Sequence, residues 1–396
     1  MSHSLARQLS EPETAAPVSR WEFRVTHRDG STKARRGVLQ TPHGAVQTPV
    51  FMPVGTLGTV KGLSQEALEE LNAEILLANT YHLYLRPGEE IIRALGGLHR
   101  FMSWKRAILT DSGGYQVFSM RGLRKVTEEG VEFRSHLDGS LHHLTPERAV
   151  EIQAALGSDI QMVLDECTEF PAGIVAARKS MERTLRWAER SRQAWQRLSA
   201  EAEIPSALFG IVQGGTYAEL RRRCAEDLVA MDLPGYAVGG LSVGEARPLT
   251  YELVAAAEEG LPQEKPRYVM GVGFPEELPQ YVALGMDMMD CVLPTRNGRN
   301  GLLFTSEGRL HIRQVRFARD ARPADPNCSC PVCRRYSRAY LRHLFVAGEM
   351  LGRTLNSYHN LFFYLDTMRR IRETIAAGEF DRFLSDFTPR VQGEVP

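Results

Sequence analysis

Eight short apolar runs recur along the chain, at 50–54, 75–79, 107–110, 160–164, 207–212, 236–239, 268–272 and 287–292, and amphipathic stretches lie between many of them. Runs such as ILLA and LFGIV are continuously apolar rather than alternating, which marks strands buried on both faces, as in a parallel sheet. The stretches at 65–71, 89–95, 146–156, 175–198, 217–231, 248–259 and 276–284 carry helical periodicity. Thr145-Pro146-Glu147 places a cap before a first-turn proline, and Ser64 precedes Gln65-Glu66. Eight strands, most trailed by a helix, predict a (β/α)8 barrel of the TIM type. A doubly wound sheet is the alternative that strand counting leaves open. The rhythm breaks twice. Residues 113–145 read as a β-hairpin insertion around Asp138-Gly139. Residues 301–331 are irregular, and 335–346 and 361–377 are helical again. The expected organisation is a disordered leader at 1–20, then a single barrel domain at 21–396. That domain includes the hairpin insertion and a second subdomain at about 301–360.

No apolar run reaches 18 residues, so a membrane-spanning helix is excluded. The leader lacks an apolar centre and is not a secretory signal. Six cysteines in 396 residues are too few for a disulfide scaffold. Three of them crowd into 328–333, which points to a metal in a reducing cytoplasm. Lys+Arg and Asp+Glu both number 48, yet the charge is uneven. From Arg296 to Arg342 there are eleven Arg, no Lys and three acids, a local net of +8. Such a field suits phosphate contacts, and equally a solvated basic surface.

Cys328-Ser-Cys330-Pro-Val-Cys333 can aim three thiolates at one tetrahedral metal. His359 is the best fourth ligand and His343 the competitor. A Cys3His set leaves no open position, so the metal is expected to be structural. That argues against a zinc hydrolase on the same barrel, which needs an open site.

Polar and Gly-rich residues follow one predicted strand after another. They are Asp111, Asp165, Gln213, Gly239-Gly240-Leu241, Met270-Gly-Val-Gly273 and Asp290. In a barrel, active sites sit at these strand ends. Each acid alone could simply cap a helix, but the succession is hard to assign to capping. Asp111 and Asp290 would share one mouth. Paired carboxylates suit substitution at an anomeric carbon. Gly113-Gly114, Gly214-Gly215 and Gly239-Gly240 would let backbone approach a flat ligand. Asp165 and Gln213 could read a nucleobase edge. Tyr115 and Met270 could cover its faces, or merely pack in the core. Pro294-Thr-Arg296-Asn-Gly-Arg299-Asn-Gly301 reads as a loop whose two Arg could grip a nucleotide.

These strings together closely resemble the queuine tRNA-ribosyltransferase family, also called tRNA-guanine transglycosylase. The resemblance rests on LTDSGGYQVFS at 109–119, VLDECT at 163–168, GIVQGG at 210–215, GGLSVGE at 239–245, MGVG at 270–273, MDCVLPTRNGRNG at 289–301 and CSCPVC with His359. It runs from about Trp21 to the C-terminal helices. It implies a (β/α)8 barrel with an inserted zinc subdomain, usually a homodimer, that exchanges the wobble guanine of certain tRNAs for a modified base. It implies Asp290 as nucleophile, through a covalent tRNA–enzyme intermediate, and Asp111 as general acid/base. Asp165, Gln213 and Gly240 would bind the base, with the Leu241 backbone on its side group and Tyr115 and Met270 sandwiching it. Arg296 and Arg299 would contact the anticodon loop. Cys328, Cys330, Cys333 and His359 would hold zinc. Cys167 and Glu245 resemble the bacterial pattern, so the expected base is 7-aminomethyl-7-deazaguanine, in queuosine biosynthesis. Queuine and a cyano-deazaguanine are the alternatives. The absence of an extension after the C-terminal helices disfavours the archaeal type. A non-catalytic accessory subunit of the same family would lack one of the two carboxylates.

Overall fold

A computed structural model describes residues 21–119 and 124–395. The expected disordered leader lies outside the described residues. Eight parallel strands close into a barrel: β4 (Val50–Gly55), β5 (Ile75–Ala78), β6 (Ala107–Thr110), β10 (Ile160–Met162), β11 (Ala207–Val212), β12 (Gly235–Val238), β13 (Arg267–Val269) and β14 (Met288–Cys291). The circle shuts where β14 pairs with β4, Met288 opposite Val50 and Asp290 opposite Met52. A doubly wound sheet has two free edges, so closure excludes it. All eight apolar runs contribute a barrel strand, because each is buried on both faces.

The helices begin and end as their local chemistry dictates. The Thr145 side chain accepts from Arg148 N at the start of Pro146–Leu156, and Gly157 ends that helix at φ +71°. The long helix Ile174–Glu201 follows β10 and packs on its neighbour Pro146–Leu156.

Two antiparallel sheets lie outside the barrel. The first, β1 (Glu22–Arg28), β2 (Arg35–Thr41) and β3 (Gly44–Thr48), precedes it and was not read from the sequence. Arg35 pins it to the barrel through both oxygens of Asp287, at 2.9 and 2.6 Å. Both side chains are fully buried, and this fork-to-fork pair is far more specific than a surface ion pair. The second, β7 (Arg124–Val126), β8 (Val131–Arg134) and β9 (Leu141–Leu144), sits between β6 and β10. Its β8–β9 turn carries Asp138-Gly139, with Gly139 at φ +75°.

The segment expected to be irregular at 301–331 contains the hairpin of β15 (Leu302–Thr305) and β16 (Gly308–His311). A small second core forms beside it from Leu303, Leu310, Ile312, Phe317, Val332, Leu341 and Val395, among others. The helix Met350–Ala377 joins the two cores. The string 294–301, expected as a loop, is instead mostly helix, Leu293–Arg299. Pro294 falls in its first turn, where a missing N–H costs nothing. Gly298 is required by packing, since a Cβ there would lie 2.8 Å from the Asn356 and Ser357 backbone. The residues that signalled a turn are therefore fitting a short helix against a long one.

Candidate active site and metal centre

The carboxyl ends of the barrel strands carry three acids, and the charge of Asp111 reaches the other two. Asp111 is the first residue after β6, and four donors converge on its carboxylate. They are Asn79 Nδ2 (2.5 Å), Gln116 Nε2 (2.8 Å), Thr80 N (2.8 Å) and Gly113 N (3.2 Å). Burial pushes its pKa up, and these donors oppose the push without cancelling it.

Asp290 lies within β14 itself. Its Oδ1 accepts from the Tyr268 hydroxyl at 2.5 Å and from Gly271 N at 2.8 Å. Burial raises its pKa to about 6, against those two bonds and with a further push from the charge of Asp111. Asp165 follows β10 and is also raised to about 6 by burial, again with Asp111 contributing. Gln213, at the end of β11, donates to Asp165 at 2.7 Å. Both side chains are buried, so the pair presents a fixed polar edge.

Two glycines approach this site closely, and the positive φ of Gly240 makes it the stricter of the two. A Cβ on Gly240 (φ +64°) would lie 2.2 Å from Gln213 Oε1. A Cβ on Gly114 would lie 3.3 Å from Asp165 Oδ1 and 3.1 Å from its carbonyl. A flat wall therefore borders the Asp165–Gln213 edge. Tyr115, in the first turn of Gly114–Ser119, is 60% exposed, which excludes core packing for it. Met270 is half-buried, and its sulfur lies 3.3 Å from where a Gly239 Cβ would be. Leu241 is buried. Ser242 N and Val243 N both donate to Glu245. Because the two groups of a peptide point in opposite directions, the Leu241 carbonyl faces away from Glu245. Burial works against the Glu245 anion, yet these amides and Thr250 hold its pKa below the usual value.

Arg296 and Arg299 lie on the short helix directly after β14, three residues apart and hence on one side. Arg296 is exposed and Arg299 half-buried. Much of the remaining Arg field is committed elsewhere. Arg338 is buried and faces Asp320, and Arg309 pairs with Glu276. Arg313, Arg319, Arg334 and Arg335 stay exposed.

The metal-ligand cluster stands apart from the barrel mouth, in the second core. Its four donor atoms lie within 4.8 Å of one another. The sulfurs of Cys328, Cys330 and Cys333 are 3.9, 3.5 and 3.3 Å from His359 Nδ1. A tetrahedral thiolate–imidazole set has edges of roughly 3.5 Å, so the donors fit. His359 Nε2 lies 2.9 Å from the Phe304 carbonyl, which fixes the tautomer that leaves Nδ1 free to ligate. His343 is not in the cluster.

His43, His99 and Asp159 also converge, at the other end of the barrel. Those two rings are stacked at 3.5 Å and 14°. An imidazole lone pair lies in its ring plane, so one ion cannot lie in both planes. The arrangement is a clamp in which His43 (2.7 Å) and His99 (3.4 Å) flank opposite oxygens of one buried carboxylate.

Sequence reasoning missed the residues that support the acids. Asn79 follows the neighbouring strand β5 and Tyr268 lies in the neighbouring strand β13, and no local pattern links them to Asp111 or Asp290. Gln116 lies one residue past Tyr115, and nothing in the spacing aims it back at Asp111.

A family profile described as queuine tRNA-ribosyltransferase matches residues 29–392. Proteins named queuine tRNA-ribosyltransferase are similar over nearly their whole lengths. One from Koribacter versatilis is 60% identical over 91% of this chain and 95% of its own. One from Solibacter usitatus is 58% identical, over 91% and 96%. One from Caldanaerobacter subterraneus is 55% identical, over 94% and 98%.

Proposed function

This chain belongs to the queuine tRNA-ribosyltransferase family and is an enzyme, and we propose that it exchanges the anticodon wobble guanine of tRNA for 7-aminomethyl-7-deazaguanine. The observation that carries the mechanism is the asymmetry of the two carboxylates. Asp290 is held by two donors on one oxygen, and among the described residues none donates to the other, which leaves it to attack. Asp111 is held by four donors, which suit a group that must keep its place while a proton comes and goes.

In the first step Asp290 attacks C1′ of the ribose and the bond to guanine breaks. Asp111 supplies the proton that the departing base needs. In the second step the incoming base gives a ring N–H proton to Asp111, and its nitrogen displaces Asp290 from C1′. Two inversions retain the configuration, and the enzyme returns to its starting protonation. No external energy source is required, because one glycosidic bond replaces another. The target guanine leaves its stack to reach the mouth, which costs less in an anticodon loop than in a duplex.

Asp165, Gln213 and Gly240 bind the polar edge of the base, and Tyr115 and Met270 cover its faces. The Leu241 carbonyl, turned from Glu245, accepts from the cationic aminomethyl group. Arg296 and Arg299 contact the anticodon loop, and the exposed Arg of the second core extend that contact. Cys328, Cys330, Cys333 and His359 hold a structural zinc ion, which stabilises the subdomain at about 301–360. The enzyme works in the cytoplasm as a homodimer. None of its described helices is long and apolar enough to cross a membrane.

The test is to incubate the protein with unmodified tRNA and each candidate base, then read the wobble nucleoside by mass spectrometry. Incorporation of the aminomethyl base in preference to queuine and the cyano base is expected. Preferential uptake of queuine would overturn the base assignment.

A further inference from the structure

Arg221 is fully buried, and among the described residues it forms no ion pair. It lies in the helix Ala218–Val229, and its guanidinium reaches back between the loops that follow β11 and β12. There it meets only carbonyl oxygens. Nε donates to Gly215 O at 2.9 Å, and Nη1 to Gly239 O at 3.0 Å and Val212 O at 3.4 Å. Nη2 donates to Gly240 O at 3.3 Å. Burying a cation among neutral carbonyls is costly, and the charge of Glu245 within electrostatic reach offsets only part of that cost. Burial lowers its pKa to about 10, which still leaves it charged at neutral pH.

The peptide plane supplies the consequence. The Gly239 carbonyl shares a peptide with the Gly240 N–H, and the Gly240 carbonyl with the Leu241 N–H. In each the two groups point in opposite directions. Drawing both carbonyls onto Arg221 therefore turns both amides away from it. Neither amide makes a hydrogen bond to the protein among the described residues. Two adjacent donors are thus left for something else. Gly214 makes room for the arrangement, since a Cβ there would lie 2.9 Å from Arg221 N and 3.0 Å from its Cγ.

We propose that Arg221 is a positioning residue that orients the Gly240 and Leu241 amides as a paired donor site for the ring carbonyl oxygen of a guanine-type base. It acts through the two peptides and touches no reacting atom. Glu245 performs the complementary operation one peptide later, turning a carbonyl rather than an amide toward the pocket. Arg221 therefore governs affinity for every base that carries the ring carbonyl. Glu245 governs only the response to a cationic side group.

The inference rests on the base-pocket reading, and the test separates the two. Guanine exchange into tRNA is measured for the unaltered protein, Arg221→Lys and Arg221→Gln, with zinc content and melting temperature as controls. Lysine keeps the charge but cannot span four carbonyls. The KM for guanine and for the aminomethyl base is expected to rise together, by about tenfold or more in both variants. The KM for tRNA and the rate at saturating base should stay within about threefold. If Arg221→Gln does not fold, Arg221→Lys decides. A folded Arg221→Lys with a base KM within about twofold of the unaltered protein overturns the proposal. In the unaltered protein, hydrogen exchange at Gly240 and Leu241 should slow on adding base. If those amides stay equally fast, the proposal also fails. Absence of guanine exchange by the unaltered protein would instead overturn the base-pocket reading.

Discussion

The hydroxyl of Tyr268 donates to Oδ1 of Asp290 at 2.5 Å, from the strand next to the one that carries the acid. The bond favours the charged carboxylate, while burial opposes it, and the balance leaves Asp290 at about 6. Attack on C1′ needs the anion. Activity should therefore fall as pH drops through about 6. Removing the hydroxyl in Tyr268→Phe takes away a term that stabilises the anion, so the acid limb should move upward by roughly half a unit to one unit. The rate well below pH 6 should drop about three- to tenfold, and the rate at pH 7 by no more than about twofold. A pH profile of kcat/KM checks this, and an acid limb identical in both proteins contradicts it.

Asp165 carries the opposite lesson for stability. Its folded pKa of about 6 exceeds the ordinary 3.8, so the folded state binds its proton more tightly than the unfolded chain does. Its stabilising contribution is full below about 4 and is lost as pH rises through about 6. At pH 8 the buried carboxylate is a net cost of up to about 3 kcal/mol. Asp165→Asn should therefore unfold at higher urea than the unaltered protein at pH 8, by up to that amount. At pH 5 the advantage should shrink by roughly half. The same variant should lose base binding. A variant that is less stable at pH 8 than at pH 5, relative to the unaltered protein, would contradict the sign.

The donor cluster in the second core predicts a separable effect. Cys330→Ser should lose the bound zinc and loosen the region from β15 to His359, while the barrel stays folded. Metal analysis and limited proteolysis read the two outcomes directly. The KM for tRNA should rise more than the KM for the base. Stoichiometric zinc and full stability in the variant would show that the ligand set is misassigned.

The barrel was readable because parallel strands leave a one-dimensional signature. Each of the eight is a short apolar run, and polar or Gly-rich residues stand at or just past the carboxyl ends of most of them. The Cys3His donor cluster was readable for the same reason, since three of its four side chains fall within six residues. Other features were set by tertiary contact. β1 reads Glu-Phe-Arg-Val-Thr-His-Arg, too polar to stand out as a strand, and is fixed by pairing with β2. The helix Leu293–Arg299 was hidden by its own Pro, Asn and Gly, which pack against the helix Met350–Ala377. Arg221 stands first in a run of three arginines. Arg222 and Arg223 go to surface acids, Glu259 and Glu182, and only packing distinguishes the one that turns inward.

The central claim is that Asp290 forms the bond to ribose. The most direct measurement is incorporation of labelled guanine into unmodified tRNA by the intact protein beside Asp290→Asn, both folded and zinc-loaded. Exchange by the intact protein, its loss by at least about a thousandfold in the variant, and competition by added 7-aminomethyl-7-deazaguanine are the results this account predicts. Exchange by Asp290→Asn at a rate near that of the intact protein would contradict it.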